Sequence, residues 1–267
     1  MSKSVRTRTV LVTGGAKRLG RAFCLAFAQA GWNVICHYQS SAQEADQICG
    51  EIHQQGGHAV SLGADLSVAT ERESLLQSAI QAADQGLDAV VNNASVFEPD
   101  SGIAFSSELL QLQLQVNLVA PLHLGSLLAQ YAKSRSGEPA PALIHVLDQK
   151  VYNLNPDYFS YTVSKLALER SVALQAQALA PHVRVTAIAP GLVFVSGPQS
   201  VDNFERAQSL NLMRSPIDVG DVARSAVFLA ENASITGTTL CVDKGQHLVP
   251  LERDVMFVVE QLTRSQI

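Results

Sequence analysis

The chain has 267 residues, of which 47% are hydrophobic and 16% are charged, and its formal net charge is −5. This composition allows a sizeable core and excludes a disordered chain. The acidic balance argues against bulk binding of nucleic acid. We find no apolar run near membrane-span length and no apolar stretch of a signal peptide at the start, so we expect no membrane association.

Cysteine and histidine spacing gives no sign of a metal site or a disulfide framework. The four cysteines form no CxxC pair, and the seven histidines show no ligand spacing. Cysteines inside apolar segments are typical of buried free thiols, which favours a reducing compartment and a cytoplasmic location. We predict that no metal is bound.

Short β-branched runs alternate with longer helical segments along the chain. Strands are predicted at residues 9–13, 33–37, 59–64, 87–92, 142–147, 183–189 and 238–242. Helices are predicted at residues 18–30, 42–55, 70–83, 106–134, 158–179 and 219–231. Most strands are apolar throughout, as in a parallel sheet covered on both faces. We therefore predict a single doubly wound Rossmann-type α/β domain over residues 1–267, with about seven parallel strands and helices on both faces.

One segment carries conflicting signals. Residues 109–118, "LLQLQLQVNL", alternate between apolar and polar residues like a strand. The apolar pattern continues through Leu124 and Leu128, and the segment lies between two predicted strands. We therefore predict a helix here.

A glycine-rich turn follows the first predicted strand. Residues 10–23, "VLVTGGAKRLGRAF", run from strand through turn to helix. Gly14 and Gly20 allow a tight turn and close packing, and the N–H groups at the start of the helix can then bind a pyrophosphate. Glycines in such turns are often purely structural, but the position after the first strand favours a dinucleotide site.

The end of the second predicted strand indicates which dinucleotide is bound. It offers polar residues and no carboxylate: His37, Tyr38, Ser40 and Ser41. An Asp or Glu at this position binds the ribose hydroxyls of NAD and would repel a 2′-phosphate. With Lys17 and Arg18 nearby in the turn, the pattern favours NADPH over NADH. The alternative is a solvated basic turn.

Other predicted cofactor contacts lie in the turn and at the carboxyl ends of later strands, where open α/β sheets bind ligands. They are Leu19, Asp65, Leu66, Asn93, Ala94, Ser95, Pro190 and Gly191. Asp65 can accept a hydrogen bond from the adenine amino group, although a helix cap is an alternative role for it.

A tyrosine and a lysine share one face of the predicted helix 158–179. Lys165 follows Tyr161 by four residues, which is about one helical turn. An ammonium beside a phenol should lower the pKa of the phenol and suit it to proton donation. Such pairs also occur by chance on surface helices. Asp148 ends the fifth apolar run thirteen residues before Tyr161.

From about residue 9 to 248 the chain resembles the short-chain dehydrogenase/reductase family. The matching features are "TGGAKRLG", "NNAS", Asn117, "YTVSK" and "IAPG". The resemblance implies that Tyr161 donates the proton, that Lys165 holds the nicotinamide ribose, and that Asn117 supports a water relay. In place of the family's usual serine thirteen residues before the tyrosine, this chain has Asp148.

That aspartate resembles the pteridine reductase branch, as do "KRLG", "HYQSSAQEA" and "NNASVF". The resemblance implies that Phe97 stacks on a pterin ring and that Arg18 reaches both cofactor phosphate and substrate. The substrate contacts are then Arg18, Ser95, Phe97, Asp148 and Tyr161. Phe97 could instead be a core aromatic, and Asp148 a cap. Departures from the branch are Val193 in place of serine and Lys244 in place of glycine.

The function implied is NADPH-dependent hydride transfer to a pterin of biopterin, monapterin or dihydrofolate type, with Tyr161 and Asp148 relaying the proton. One alternative is a general carbonyl or 3-ketoacyl reductase. Another is a nucleotide-binding subunit without turnover, which the joint presence of Tyr161, Lys165, Asn117 and Asp148 disfavours. Residues 192–215 are expected to form a substrate lid, and the resemblance implies a homotetramer.

Overall fold

A computed structural model describes residues 6–135 and 139–264, and the remaining termini and residues 136–138 lie outside the described chain. Within it, seven parallel strands form one sheet in the order β3-β2-β1-β4-β5-β6-β7. The strands are β1 (Thr9–Val12), β2 (Asn33–Tyr38), β3 (Ala59–Gly63), β4 (Leu87–Asn92), β5 (Ala142–Val146), β6 (Arg184–Pro190) and β7 (Thr238–Val242). The predicted doubly wound α/β fold is confirmed.

Helices cover both faces of the sheet. Those that were predicted are α1 (Arg18–Gln29), α2 (Ala42–Gln54), α3 (Ala69–Ala82), α4 (Ser107–Leu114) continued by α5 (Ala120–Lys133), α6 (Phe159–Leu179) and α8 (Val219–Glu231). Every predicted strand and helix end lies within one residue of the observed end.

Alternate residues along each central strand pack on opposite faces of the sheet. In β1, Val10 and Val12 contact one cluster, which includes Phe23 and Phe27 of α1. Leu11 faces the other cluster, which α3, α5 and α6 complete. Each fully buried side chain of this kind contributes about 2 kcal/mol from removal of apolar surface from water. Burial on both faces explains why the strands read as continuous apolar runs.

The helical stretch Ser107–Lys133 has the predicted length but is more apolar than we expected from the sequence. By length and composition alone it could cross a membrane, so the expectation that no run approaches that length is wrong. Leu124 and Leu128 are fully buried in the core beside the sheet, as in the core helix of a globular fold. A π-helical turn, Gln115–Val119, separates α4 from α5 and carries the buried Asn117.

Two helices were not predicted. The segment 192–215 was expected to form a substrate lid without a predicted helix, but it contains α7 (Val201–Ala207), and α9 (Val255–Arg264) follows the last strand. Both are too short to be stable alone and depend on packing. Val255 and Val259 of α9 pack against Ala207 of α7.

Candidate active site

A cavity of about 470 Å³ opens at the carboxyl edge of the sheet, where the order of strands reverses between β1 and β4. Most of the predicted site residues line it: Gly14, Lys17, Arg18, Leu19, Gly20, His37, Asp65, Leu66, Asn93, Ala94, Ser95, Phe97, Asp148, Tyr161, Lys165, Pro190 and Gly191. The predicted residues that do not line it are Tyr38, Ser40, Ser41 and Asn117.

The glycine-rich turn forms a cradle at the start of α1. A Cβ added to Gly20 would lie 1.9 Å from the carbonyl oxygen of Gly14, so no side chain fits there. The helix begins without a side-chain cap at Lys17 and without an acidic residue in its first turn. Its N–H groups and its positive dipole end are therefore left for an anion.

Arg18 occupies a backbone position that favours glycine. Its φ is 51°, which costs a non-glycine residue on the order of 1 kcal/mol. Its guanidinium donates to the carbonyl oxygen of Val195 at 2.7 Å and lies over the ring of Phe194. Arg18 thus connects the nucleotide turn to the segment 192–215.

His37 is a neutral structural residue, which corrects its predicted place among anion-binding groups. Its Nδ1 accepts a hydrogen bond from the Gly14 N–H at 3.0 Å, so Nε2 carries the proton and donates to the Ala64 carbonyl at 3.1 Å. Burial lowers the pKa of His37 to about 4. The ring therefore fixes the shape of the turn and adds no charge to the site.

The buried histidines predict a loss of stability in acid. Burial also lowers the pKa of His145 to about 4, from an ordinary value of 6.5. Because the folded state takes up these protons less readily, stability is complete above about pH 6.5 and declines as pH falls through 4. Each histidine should contribute about 3 kcal/mol to this decline. Urea unfolding between pH 7 and pH 4.5 measures it. His145→Gln should flatten the dependence, and an unchanged slope would contradict this account.

Three of the predicted contacts at the end of β2 lie outside the cavity lining, and their role in binding a 2′-phosphate stays a prediction. The Tyr38 ring lies against Gly63 of β3, where an added Cβ would be 3.1 Å away, and Ser41 precedes the first turn of α2. Gln39 reaches the cavity instead of Tyr38, Ser40 and Ser41. None of these positions carries a carboxylate. Lys17 lines the cavity while pairing with Glu44 of α2 at 2.7 Å.

Asp65 and Asn93 stabilise the loops that border the cavity. The Asp65 carboxylate accepts from the Ser67 N–H at 2.8 Å and lines the cavity, but it does not cap a helix, because Val68 is the residue that precedes α3. The Asn93 amide donates to the carbonyl oxygens of Thr13 and Gly14 at 2.9 and 3.0 Å. These bonds join the loop after β1 to the loop after β4.

Asp148 and Tyr161 are in direct contact. The Tyr161 hydroxyl donates to Asp148 Oδ2 at 3.0 Å. The other carboxylate oxygen accepts from the Lys150 N–H at 2.8 Å. Burial raises the pKa of Asp148 above its ordinary value, which moves this acid closer to neutrality.

The predicted lowering of the phenol pKa by Lys165 is not found. Burial and the neighbouring charge of Asp148 raise the pKa of Tyr161 well above its ordinary value. The Lys165 ammonium lies 5.7 Å from the centre of the phenol ring and donates to the Val146 carbonyl at 2.8 Å. Burial lowers the pKa of Lys165 to about 8. In this structure the carboxyl is therefore the closer electrostatic partner of the phenol.

The Asn117 side chain is buried and hydrogen-bonded on both of its polar atoms. Its oxygen accepts from the Val96 N–H at 2.8 Å and from the Ser95 hydroxyl at 3.1 Å. Its nitrogen donates to the Val96 carbonyl at 2.9 Å and to Ser164 at 3.0 Å. The side chain thus ties the loop after β4 to α6, and it positions Ser95. The water relay implied by the resemblance stays a prediction.

Phe97 lies between two tyrosines. Its ring stacks on Tyr158 with centroids 4.1 Å apart and meets Tyr161 edge-on at 4.6 Å. Tyr158 therefore covers one face of the Phe97 ring, and Phe97 also lines the cavity. Tyr158, at the start of α6, has a φ of 53°, and its buried ring supports Phe97 from behind.

Sequence reasoning did not single out the remaining cavity residues, although those from Leu192 to Gln199 lie in the segment 192–215 that was expected to form a lid. The remaining residues are Gln39, Val96, Val116, Val146, Leu147, Gln149, Lys150, Leu192, Phe194, Ser196, Gln199, Gln246, Asp254, Val255 and Met256, in addition to Val193, which was noted only as a departure. A detectable signal existed for Val255 and Met256, since "VMFVVEQL" has the apolar spacing of an amphipathic helix. Nothing in the sequence indicated which face of that helix would meet the site.

Lys244, the other departure, has a φ of 52°, a conformation that favours glycine. Its ammonium donates to the Ser215 hydroxyl at 2.9 Å and to the Pro216 carbonyl at 2.6 Å. It therefore anchors the end of the segment 192–215 to the turn after β7.

Comparisons with known proteins show which family the chain is similar to. A family model described as enoyl-(acyl carrier protein) reductase matches residues 14–247. A dihydromonapterin reductase of Enterobacter sp. (strain 638) is 28% identical over 243 residues, covering 90% of this chain and 97% of the relative. An uncharacterized oxidoreductase of Mycobacterium tuberculosis is 31% identical over 247 residues, covering 89% and 91%.

Two solved structures share the whole architecture. The FolM alternative dihydrofolate reductase 1 of Brucella canis, complexed with NADP, has a TM-score of 0.86 and 34% identity, with 95% of this chain and 99% of that chain covered. The corresponding protein of Brucella suis, also with NADP, has a TM-score of 0.84 and 35% identity, with 90% and 95% covered. The chain belongs to the short-chain dehydrogenase/reductase family, in the branch that resembles pteridine and dihydromonapterin reductases.

Proposed function

We propose that this protein is an NADPH-dependent pterin reductase in which Asp148 and Tyr161 together supply the proton. The observation that carries the proposal is their 3.0 Å hydrogen bond inside a cavity at the carboxyl edge of the sheet. The name of the Enterobacter relative and the NADP complexes of the Brucella structures support the substrate class and the cofactor.

The nucleotide end of the cavity fits NADP. The cradle at Gly14 and Gly20 leaves room for a pyrophosphate, and the uncapped start of α1 provides N–H donors for it. Lys17 lies beside this cradle and pairs with Glu44 of α2, and the end of β2 itself carries no carboxylate that would repel a 2′-phosphate. When bound, the reduced nicotinamide supplies the hydride.

The other end of the cavity fits a flat, nitrogen-rich ring. The open part of Phe97 offers a surface for stacking, and Tyr158 holds that ring in place. Asp148 can accept hydrogen bonds from ring N–H and amino groups while it is ionised, and it can donate while protonated. A serine at the same position could exchange a proton with a ring nitrogen only weakly.

The proton should leave from the pair and not from a single residue. Tyr161 alone is a poor acid at neutral pH because its pKa is raised, whereas the raised pKa of Asp148 brings that group toward the working range. The two groups share one hydrogen bond, so they titrate together. Lys165 and Asn117 hold the strand end and the loop around them.

Oxidation of NADPH by the purified protein tests the proposal. We expect turnover with a dihydropterin, weak or no turnover with a 3-ketoester, and none without a substrate, and an antifolate should inhibit the reaction. Turnover with the ketoester alone would identify a carbonyl reductase. NADPH binding without any turnover would identify a nucleotide-binding subunit. The homotetramer implied by the resemblance remains a prediction.

A further inference from the structure

Lys150 is a buried lysine beside the reacting carboxyl, and the proposed reaction assigns it no role. Its side chain is 4% exposed. Its backbone N–H orients Asp148, and its ammonium donates to the Asp157 carbonyl at 2.7 Å. The same ammonium lies 3.4 Å from Asp254 Oδ2. A buried cation of this kind requires partners, and one of the two, Asp254, comes from a distant part of the chain.

Asp254 directly precedes α9 and is held in place by Asp157. Its N–H donates to Asp157 Oδ2 at 2.7 Å. Arg253 binds the same Asp157 carboxylate through two of its nitrogens at 2.7 to 3.0 Å. Asp157 and Arg253 therefore neutralise each other, and Asp254 is left to face Lys150 and the cavity.

The two charges act on Asp148 in opposite directions. The ammonium of Lys150 favours the ionised carboxyl, and the carboxylate of Asp254 disfavours it. Tyr161 and Lys165 face Asp148 from α6. The other charged residues of the cavity are Lys17 and Arg18, at the start of α1, and Asp65, in the loop after β3. Lys150 and Asp254 are thus a balanced pair next to the reacting acid.

We propose that Lys150 and Asp254 form a positioning pair, which anchors the Gln149–Val151 turn that orients Asp148 and balances the charge around that carboxyl. The proposal rests on the proposed role of Asp148 as part of the proton source. Neither residue has to touch the substrate for this role. Because Asp254 belongs to the segment leading into α9, packing of that segment against the site also brings in the carboxylate that balances the charge of Lys150.

The test compares Lys150→Met, Asp254→Asn and the double variant by the pH dependence of kcat with NADPH and a dihydropterin. Reduction should slow as pH rises through the pKa of the Asp148–Tyr161 pair, because the pair then loses its proton. Lys150→Met should move this alkaline limb upward by on the order of one pH unit, and Asp254→Asn should move it downward by a similar amount. The double variant should return toward the wild-type position.

Matched controls separate this role from a merely structural one. Arg224→Met and Asp221→Asn remove an exposed ion pair on α8 and should leave the limb unchanged. Lys150→Arg should restore the limb that Lys150→Met displaces. The proposal is overturned if the two single variants, folded by circular dichroism and still binding NADPH, move the limb in the same direction or not at all. If Lys150→Met does not fold, the downward shift in Asp254→Asn decides the question alone.

Failure of the underlying function would look different. If Asp148→Asn retains the wild-type rate and the wild-type limb, then Asp148 is not part of the proton source. In that case the proposed proton source is wrong, and the positioning pair has no reacting acid to orient. If Asp148→Asn abolishes the alkaline limb but the Lys150 and Asp254 variants do not move it, only the positioning role is overturned.

Discussion

Replacing Asp148 with asparagine is expected to lower kcat for pterin reduction by about 10²–10⁴-fold. Asparagine has nearly the same shape: its amide oxygen can accept from the Lys150 N–H, and its amide nitrogen can donate to the Tyr161 hydroxyl oxygen, which accepts in place of donating. It cannot hold a transferable proton near neutral pH, so the proton source is lost while the geometry is kept. Single-turnover oxidation of NADPH with a dihydropterin measures the effect.

NADPH affinity provides the internal control for this variant. Asp148 lies at the end of β5, whereas the glycine cradle follows β1, so the Kd for NADPH should change by less than about twofold, well under 1 kcal/mol. Tyr161→Phe should cause a loss of similar size. Because the two residues act as a unit, the double variant should be little worse than either single variant. Equal losses of turnover and of NADPH binding in Asp148→Asn would show that the residue is structural.

Replacing Gly20 with alanine is expected to disrupt the nucleotide turn. The added Cβ would lie 1.9 Å from the Gly14 carbonyl oxygen and 2.7 Å from the Asn93 amide nitrogen, so backbone must move. Overpacking of this kind costs about 1–3 kcal/mol or more of unfolding free energy. The displaced turn should also weaken NADPH binding at least about tenfold, measured by fluorescence titration.

Gly50 offers a matched glycine-to-alanine control. It lies within α2, and a Cβ added there meets nothing within 4 Å. Gly50→Ala should therefore leave NADPH binding unchanged and stabilise the fold by about 0.5–1 kcal/mol, because alanine favours the helix. If Gly20→Ala behaved like Gly50→Ala in both measurements, the close packing of the cradle would not be needed for binding.

Prediction from sequence worked best where the signal is local. The apolar runs and the turn residues located every strand of the sheet and the helices that connect them. The apolar run of a buried strand and the helical period of 3.6 residues are both visible within a short stretch of sequence. The spacing of Tyr161 and Lys165 placed them on one helix face. By contrast, α7 and α9 are stable only against each other, and no local pattern shows such mutual packing.

Electrostatic predictions were the least successful, for a physical reason. His37 was expected to favour an anion, but burial keeps it neutral. Lys165 was expected to lower the pKa of Tyr161, but its ammonium is directed at the Val146 carbonyl. The pKa of a group depends on burial and on neighbours brought together by the fold, and residue spacing contains neither.

The sequence alone determined the family, the order of strands and helices, and the presence of an aspartate thirteen residues before the tyrosine, because these depend on residue identity and short-range spacing. Only the tertiary structure decided that Tyr161 donates to Asp148, that Phe97 is backed by Tyr158, and that Lys150 meets Asp254. Those contacts join segments up to about a hundred residues apart in the chain. The charged side chains in them interact strongly only after folding has excluded water from the core.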